Sequence, residues 1–280
     1  MTQPESHPDL TQLMEAAIAE GVFPGGALLV RVRGQTAHLS FHGRISLEPP
    51  GGPVDARTCF DLASLTKVLA TAPLVLLSIQ RGRLALDEPV HRFLEGYAGQ
   101  GREAITLRML LDHSGGLPAW RPFYQEVAST AGGAWLATFK GQEAVRRMAA
   151  AEAPEALPGS RALYSDLGFI LLDWILEQIN GRPSDVQFSE RLAGPLSLRS
   201  LFFVDLKSPD KAARARKGGA FAATERCPWR RRTLIGEVHD DNTYAMGGVS
   251  GQAGLFGTIE NVATLAEAWL DSLLHSEGFF

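Results

Sequence analysis

The stretch FDLASLTKVLATAPLVLLSI runs from Phe60 to Ile79 and places Ser64 and Lys67 three residues apart at its start. Leu65, Val68, Leu69, Ala72, Val75, Leu76 and Ile79 recur at helical spacing, which predicts a helix with those residues on its inner stripe. Ser64 then stands at or near the helix start, and Lys67 lies one turn on over the same face. A capping serine followed by a surface lysine would give the same letters. By ordinary residue usage, S-x-x-K arises by chance about once in a chain of this length. The pair alone therefore decides nothing.

The chain has 280 residues, of which 45% are hydrophobic and 21% charged, an ordinary globular composition with ample core for one large domain or two packed lobes. A net charge of −4 gives no electrostatic footprint for nucleic acid. The basic runs KAARARKGG (Lys211 to Gly219) and WRRR (Trp229 to Arg232) read as solvated loops, because no binding motif accompanies them. Cys59 and Cys227 are the only two cysteines, too few for a disulfide framework, and free thiols fit a reducing compartment. The opening MTQPESHPDL lacks the basic and apolar regions of a signal peptide, and the apolar runs fall short of a membrane span. A cytoplasmic location is the expectation, with no nucleic-acid partner. Nothing in the residues specifies an oligomeric state.

Leu10, Leu13, Met14, Ala17 and Ile18 form one face of a short helix closed by Gly21. ALLVRVRGQTAHLSFHG alternates on both sides of Arg33-Gly34-Gln35, which predicts a hairpin with Val30 and Val32 facing Ala37, Leu39 and Phe41. From Ser64 to about Asn180 the pattern turns helical, through TLRMLLDH, GQEAVRRMAAAE and DLGFILLDWILEQING, the last stopped by Asn180-Gly181. A glycine-rich stretch, YAMGGVSGQAGLFGT, precedes a final amphipathic helix. These patterns divide the chain into a helix and hairpin over 1–60, a mostly helical lobe over 61–240 and a return to the sheet-containing lobe over 241–280. The fold class is α+β, an antiparallel sheet flanked by helices with a mostly helical insertion.

No H-E-x-x-H, paired metal-spaced cysteines, G-x-S-x-G or G-x-x-x-x-G-K-[ST] occurs. VHDDN (Val238 to Asn242) could supply oxygen and imidazole ligands, but an Asp/Asn-rich turn is the commoner meaning. GGVSGQAG follows no clear strand of a βαβ unit, so it does not read as a dinucleotide site. Trp120, Phe123 and Tyr124 after Pro118 could line a pocket or serve as core aromatics.

About a hundred residues after Ser64 comes LPGSRALYSDLGFILL, with Tyr164-Ser165-Asp166 just before an apolar helix, and between them lies LRMLLDHSGGLP (Leu107 to Pro118). Here the chain resembles the serine β-lactamase and penicillin-binding family, especially its class C-like branch of esterases and D-aminopeptidase-type hydrolases. Ser64-Leu65-Thr66-Lys67 matches its S-x-x-K motif, Tyr164-Ser165-Asp166 its Y-x-N motif, and Leu110 to Pro118 the stretch between them. GRLALDEPV (Gly82 to Val90) and AMGGVSGQAGLFGT (Ala245 to Thr258) look like the same family. The resemblance implies a β-lactamase-like fold and a serine hydrolase working through an acyl-enzyme. Ser64, Lys67 and Tyr164 are its implied catalytic residues and Asp166, in the Y-x-N position, an implied substrate-binding residue; Trp120 and Tyr124, read from the aromatic cluster after Pro118, are the other expected substrate-binding residues. It implies no metal and no cofactor, and a small ester or amide as substrate, with esterase activity ranked first, peptidase or amidase next and β-lactamase last.

The chemistry suits those residue types. A serine hydroxyl is a poor nucleophile until a neighbour takes its proton, and lysine can take it only when neutral, a form that burial favours. Two departures stand against the resemblance. Asp166 replaces the usual Asn, and an ionised Asp only accepts hydrogen bonds. The family's third motif, on a strand after the GLFGT segment, is not found before Phe280, so the C-terminal strands of the sheet and the second oxyanion donor are expected to be missing from this chain. QAG (Gln252 to Gly254) resembles that motif only superficially. The second expectation, from a different class, is a catalytically silent binding or regulatory protein that keeps the fold.

Overall fold

The structure, a computed structural model, describes residues 8–216, 219–274 and 279. Helix α1 (Pro8–Ala19) leads into the hairpin β1 (Gly25–Val32) and β2 (Gln35–Gly43). The turn is Arg33-Gly34, both at positive φ (52° and 76°), the conformation that a two-residue hairpin needs. Gln35 therefore pairs with Val32, and a register shift between Val30 and Arg31 sets Val30 opposite His38. The shared face is Leu29 with Leu39 and Ala27 with Phe41, so Val30 and Val32 do not face Ala37, Leu39 and Phe41 as the sequence reading expected. The extra residue at Ala37 offsets the short turn, so from Val30 outward the register is that of a three-residue turn, and Val30 and Val32 lie one residue out of phase with Leu29 and Ala27.

After β3 (Thr58–Asp61), a wide π-helical turn (Lys67–Thr71) runs into α2 (Ala72–Gln80). The apolar stripe read from the sequence is only half right. Leu69 and Val75 are buried, while Leu65, in the tight turns before the π turn, and Val68 within it are about half exposed. The side chain that goes inward in their place is Lys67. Next come α3 (Leu107–Leu111), α4 (Phe123–Ser129), α5 (Phe139–Ala151), α6 (Asp166–Asn180) and α7 (Ser184–Phe188). Helix α6 is the axis of the core. Leu167, Ile170, Leu171 and Ile175 are sealed, and Gly181 at φ 63° closes it, as the Asn180-Gly181 signal required. Arg146 of α5 forms buried ion pairs with Asp173 (2.6 Å) and Glu177 (2.8 Å) of α6.

The remaining elements are β4 (Leu201–Phe203), α8 (Pro209–Arg216), β5 (Ala220–Phe221), β6 (Ala223–Cys227), β7 (Arg232–Ile235), α9 (Asp241–Ala245), β8 (Leu255–Gly257) and α10 (Ile259–Leu274). A four-stranded sheet has the order β4-β8-β3-β5, with β3 and β5 parallel and the other pairs antiparallel. The glycine-rich stretch thus returns to pair with the strand leading into Ser64, Phe60 opposite Gly257. The basic runs are not loops throughout. KAARAR lies in α8, Lys217 and Gly218 fall outside the described residues, and Arg230 of WRRR is buried between β6 and β7. Its guanidinium donates to the carbonyls of Val238 and His239 and pairs with Asp241, because a buried arginine must satisfy its donors. An apolar groove of about 460 Å³, lined by Met14, Phe23, Phe60, Leu62, Leu65 and Val262, separates the β1–β2 hairpin from the four-stranded sheet. Among the described residues no helix is long and apolar enough to cross a membrane.

Candidate active site

Ser64 sits where a strand ends and a helix has not yet begun. Asp61 closes β3 and accepts the Ala63 N–H at 2.9 Å and the His239 N–H at 2.7 Å. Ala63 bends at φ 44°, in the left-handed region, and lifts Ser64 to an exposed position. Three tight turns follow, from Leu65 N–H to Leu62, Thr66 N–H to Ala63 and Lys67 N–H to Ser64. They aim the Lys67 side chain back along the chain, and its Nζ lies 3.1 Å from Ser64 Oγ.

The 251–255 strip holds the other side of Lys67. Nζ donates to the Gln252 carbonyl at 3.0 Å, Thr71 Oγ1 donates to the Gly251 carbonyl at 2.8 Å, and Thr66 Oγ1 accepts the Leu255 N–H at 3.1 Å. This closeness explains the glycine at 251: a Cβ there would come within 2.2 Å of the Phe169 carbonyl oxygen. The Gln252 side chain is buried and donates to Thr243 Oγ1 at 2.8 Å, while its Oε1 accepts the Ser250 hydroxyl.

Asp166, the first residue of α6, presents Oδ1 2.7 Å from Lys67 Nζ. A carboxylate in the first turn of a helix is favoured by the helix dipole, independently of lysine. Lys67 is almost completely buried and Ser64 Oγ, the Gln252 carbonyl and the Asp166 carboxylate surround its nitrogen. The phenol ring of Tyr164 lies 4.9 Å from the same nitrogen. Segments separated by a hundred residues thus converge on one amine.

The cleft above these groups has a volume of about 360 Å³, and Ser64, Trp120, Asp166, His239, Asp240 and Gln252 line it. Asp240 caps α9 by accepting the Thr243 N–H at 2.7 Å. Burial pushes the Asp240 carboxyl up, and the Asp166 charge adds to the effect. Burial also raises the Asp61 carboxyl. VHDDN is therefore not a turn throughout: Asp240 caps α9, Asp241 and Asn242 open it, and the segment forms the cleft wall.

Of the residues singled out by sequence, Ser64, Lys67, Tyr164, Asp166 and Trp120 come together here. Tyr124 does not line this cleft. Its N–H is held by Asn242 Oδ1 at 2.9 Å and its ring packs 5.1 Å from that of Trp229. Sequence reasoning missed Gln252, whose contribution is a backbone carbonyl that no side-chain pattern reveals. It also missed His113, present in the quoted LLDHSGGLP stretch but assigned no role. His113 Nδ1 accepts the Ser165 N–H at 3.1 Å, and its ring lies 4.6 Å from that of Tyr164.

Comparison with known proteins gives the family. The profile of the family described as Beta-lactamase matches residues 10–278. An N-acetylmuramyl-L-alanine amidase of Bacillus subtilis (strain 168) is 33% identical over 284 residues, covering 93% of this chain. The chain spans 62% of that relative's length. Among solved structures, the octameric penicillin-binding protein homologue from Pyrococcus abyssi superposes with a TM-score of 0.73 at 20% identity, covering 95% of this chain and 56% of that one. A D-stereospecific amidohydrolase from Streptomyces sp. superposes with a TM-score of 0.69 at 24% identity, covering 95% and 74%. These two share the fold, and the matched span takes in every group gathered around Ser64: the chain belongs to the β-lactamase family.

Proposed function

We propose that this protein is a serine hydrolase that opens a small ester or amide through an acyl-enzyme on Ser64. The observation that carries the reading is the 3.1 Å contact between Lys67 Nζ and Ser64 Oγ at the floor of a cleft. In its neutral form Lys67 takes the Ser64 proton as Oγ bonds to the substrate carbonyl carbon. The oxyanion that forms is met by the Ser64 N–H, a donor fixed before the charge develops. Tyr164, beside Lys67, passes a proton to the departing alcohol or amine as the carbon–leaving-group bond breaks. Water then adds to the acyl carbon with the same groups acting in reverse, and Ser64 regains its proton. Trp120 and Asp166 contact the substrate along the cleft walls. Both ester and amide fit this sequence of steps, and the amidase named among the relatives supports including amides.

A fluorophosphonate probe tests the assignment. The adduct, mapped by mass spectrometry, is expected on the peptide carrying Ser64, and Ser64→Ala abolishes it. An adduct on Ser114, Ser165 or Ser250 would remove the assignment. One observation favours the second reading, a silent binding protein: the Asp166 carboxylate engages the lysine that must act as base. Failure of the intact chain to label at all would select it.

A further inference from the structure

The segment that carries Tyr164, residues 161–165, belongs to no helix or strand. A proton-relaying phenol must nevertheless be held to a fraction of an ångström. What fixes this one is the loop between α3 and α4. The His113 carbonyl accepts the Leu163 N–H at 2.9 Å, and His113 Nδ1 accepts the Ser165 N–H at 3.1 Å. The Pro118 carbonyl accepts the Ser165 hydroxyl at 2.6 Å, and the Ala119 carbonyl accepts the Asp166 N–H at 2.9 Å. One residue therefore grips the chain on both sides of Tyr164. Its imidazole also lies against the phenol ring, with centroids 4.6 Å apart. His113 adopts φ 62°, an uncommon conformation for a residue with a Cβ and one that clusters at functional sites.

We propose that His113 is a positioning residue for the reaction, holding the Tyr164 phenol beside Lys67 through its backbone carbonyl, its Nδ1 and its ring face. The inference rests on the reading that Tyr164 moves a proton at this site. It also gives the site a dependence on pH. A ring nitrogen that accepts an N–H carries no hydrogen, so the gripping form is the neutral imidazole with its hydrogen on Nε2. Protonation would set N–H against N–H and open the clamp. Lys67, Tyr164, Phe169, Ser165 and Asp166 face the ring from the helices and segment packed on it, and Asp112 adjoins it in its own loop. Burial and the Lys67 charge hold the imidazole below its ordinary value, against the opposing pull of Asp166 and Asp112.

The test uses the full chain labelled with ¹⁵N, with His113→Asn and His113→Ala. Asparagine tolerates the left-handed backbone, and its Oδ1 offers an acceptor near the place of Nδ1 that does not titrate. In the parent, the Ser165 amide resonance should titrate at a midpoint below about 6.5. His113→Ala should lower the Ser165 protection factor by roughly tenfold or more, and lower kcat for p-nitrophenyl esters by on the order of tenfold to a hundredfold, with KM within about twofold. His113→Asn should restore protection and most of kcat, and its Ser165 amide resonance should no longer titrate below about 6.5. Parent-like kcat and Ser165 protection in folded His113→Ala would overturn the proposal, and so would His113→Asn behaving no better than His113→Ala. If the parent hydrolyses nothing while Ser165 protection follows the variants as described, the clamp stands and the hydrolase reading falls.

Discussion

Asp166 and Lys67 form an ion pair of 2.7 Å in the floor of the cleft, on the same nitrogen that approaches Ser64 Oγ. A carboxylate and the hydroxyl that is to be deprotonated thus compete for one buried amine. Asp166→Asn removes the opposite charge and leaves the contact with Ser64. We expect this variant to react with a fluorophosphonate several-fold faster near pH 7 than the parent. A slower reaction would mean that Asp166 helps to carry the proton.

Lys67→Arg keeps the charge and forfeits the base, because arginine is not deprotonated in proteins. Labelling of Ser64 should fall by roughly a hundredfold or more, the scale of a lost proton-transfer group. Tyr164→Phe should slow ester turnover by a similar factor while preserving the melting temperature, since the ring and its contact with His113 remain. Acylation of Lys67→Arg near the parent rate would remove the base role.

Gly251→Ala tests the fit between the 251–255 strip and α6. A Cβ at this position would come within 2.2 Å of the Phe169 carbonyl oxygen and 2.9 Å of Asp173 Cβ, so backbone must move. The strip also delivers the Gln252 carbonyl to Lys67. A loss of about 1–3 kcal/mol in denaturant titration is expected from overpacking, together with slower labelling of Ser64.

Arg146 is the counter-charge of Asp173, which is sealed in the core between α5 and α6. Arg146→Met leaves that carboxylate without its cation and should cost about 3–5 kcal/mol. The double variant Arg146→Met/Asp173→Leu should recover part of the loss, because it removes the sealed carboxylate but still leaves Glu177 without its cation. Urea melts of the three proteins check both statements.

His113 also predicts the direction in which stability follows pH. Burial sets its folded-state value below the ordinary 6.5. As pH falls below about 6.5 the unfolded chain binds a proton that the folded site refuses, so stability drops until the folded imidazole is also protonated. The melting temperature should therefore decline from neutral towards mildly acidic pH, and the decline should be weaker in His113→Asn.

Periodicity and short motifs made the local plan legible. Helices α3, α5 and α6 lie where their spacing and stop signals put them, and the hairpin lies on either side of Gly34. The order of S-x-x-K, LLDHSGGLP and YSD also named the residues that meet in the cleft. What the letters could not carry were effects of a single residue of phase. The extra residue at Ala37 offsets the two-residue turn at Arg33-Gly34, which puts Leu29 opposite Leu39 and Val30 opposite His38. The tight turns over residues 62–67 and the π turn at Lys67–Thr71 together put Lys67 inward and leave Leu65 and Val68 outward. Tertiary packing alone decided that Asp166 pairs with Lys67, that a carbonyl at Gln252 completes the nest around its amine, and that His113 grips the segment bearing Tyr164. Backbone carbonyls are present at every residue and carry no sequence signal. Only folding brings a particular one within 3.0 Å of a particular nitrogen.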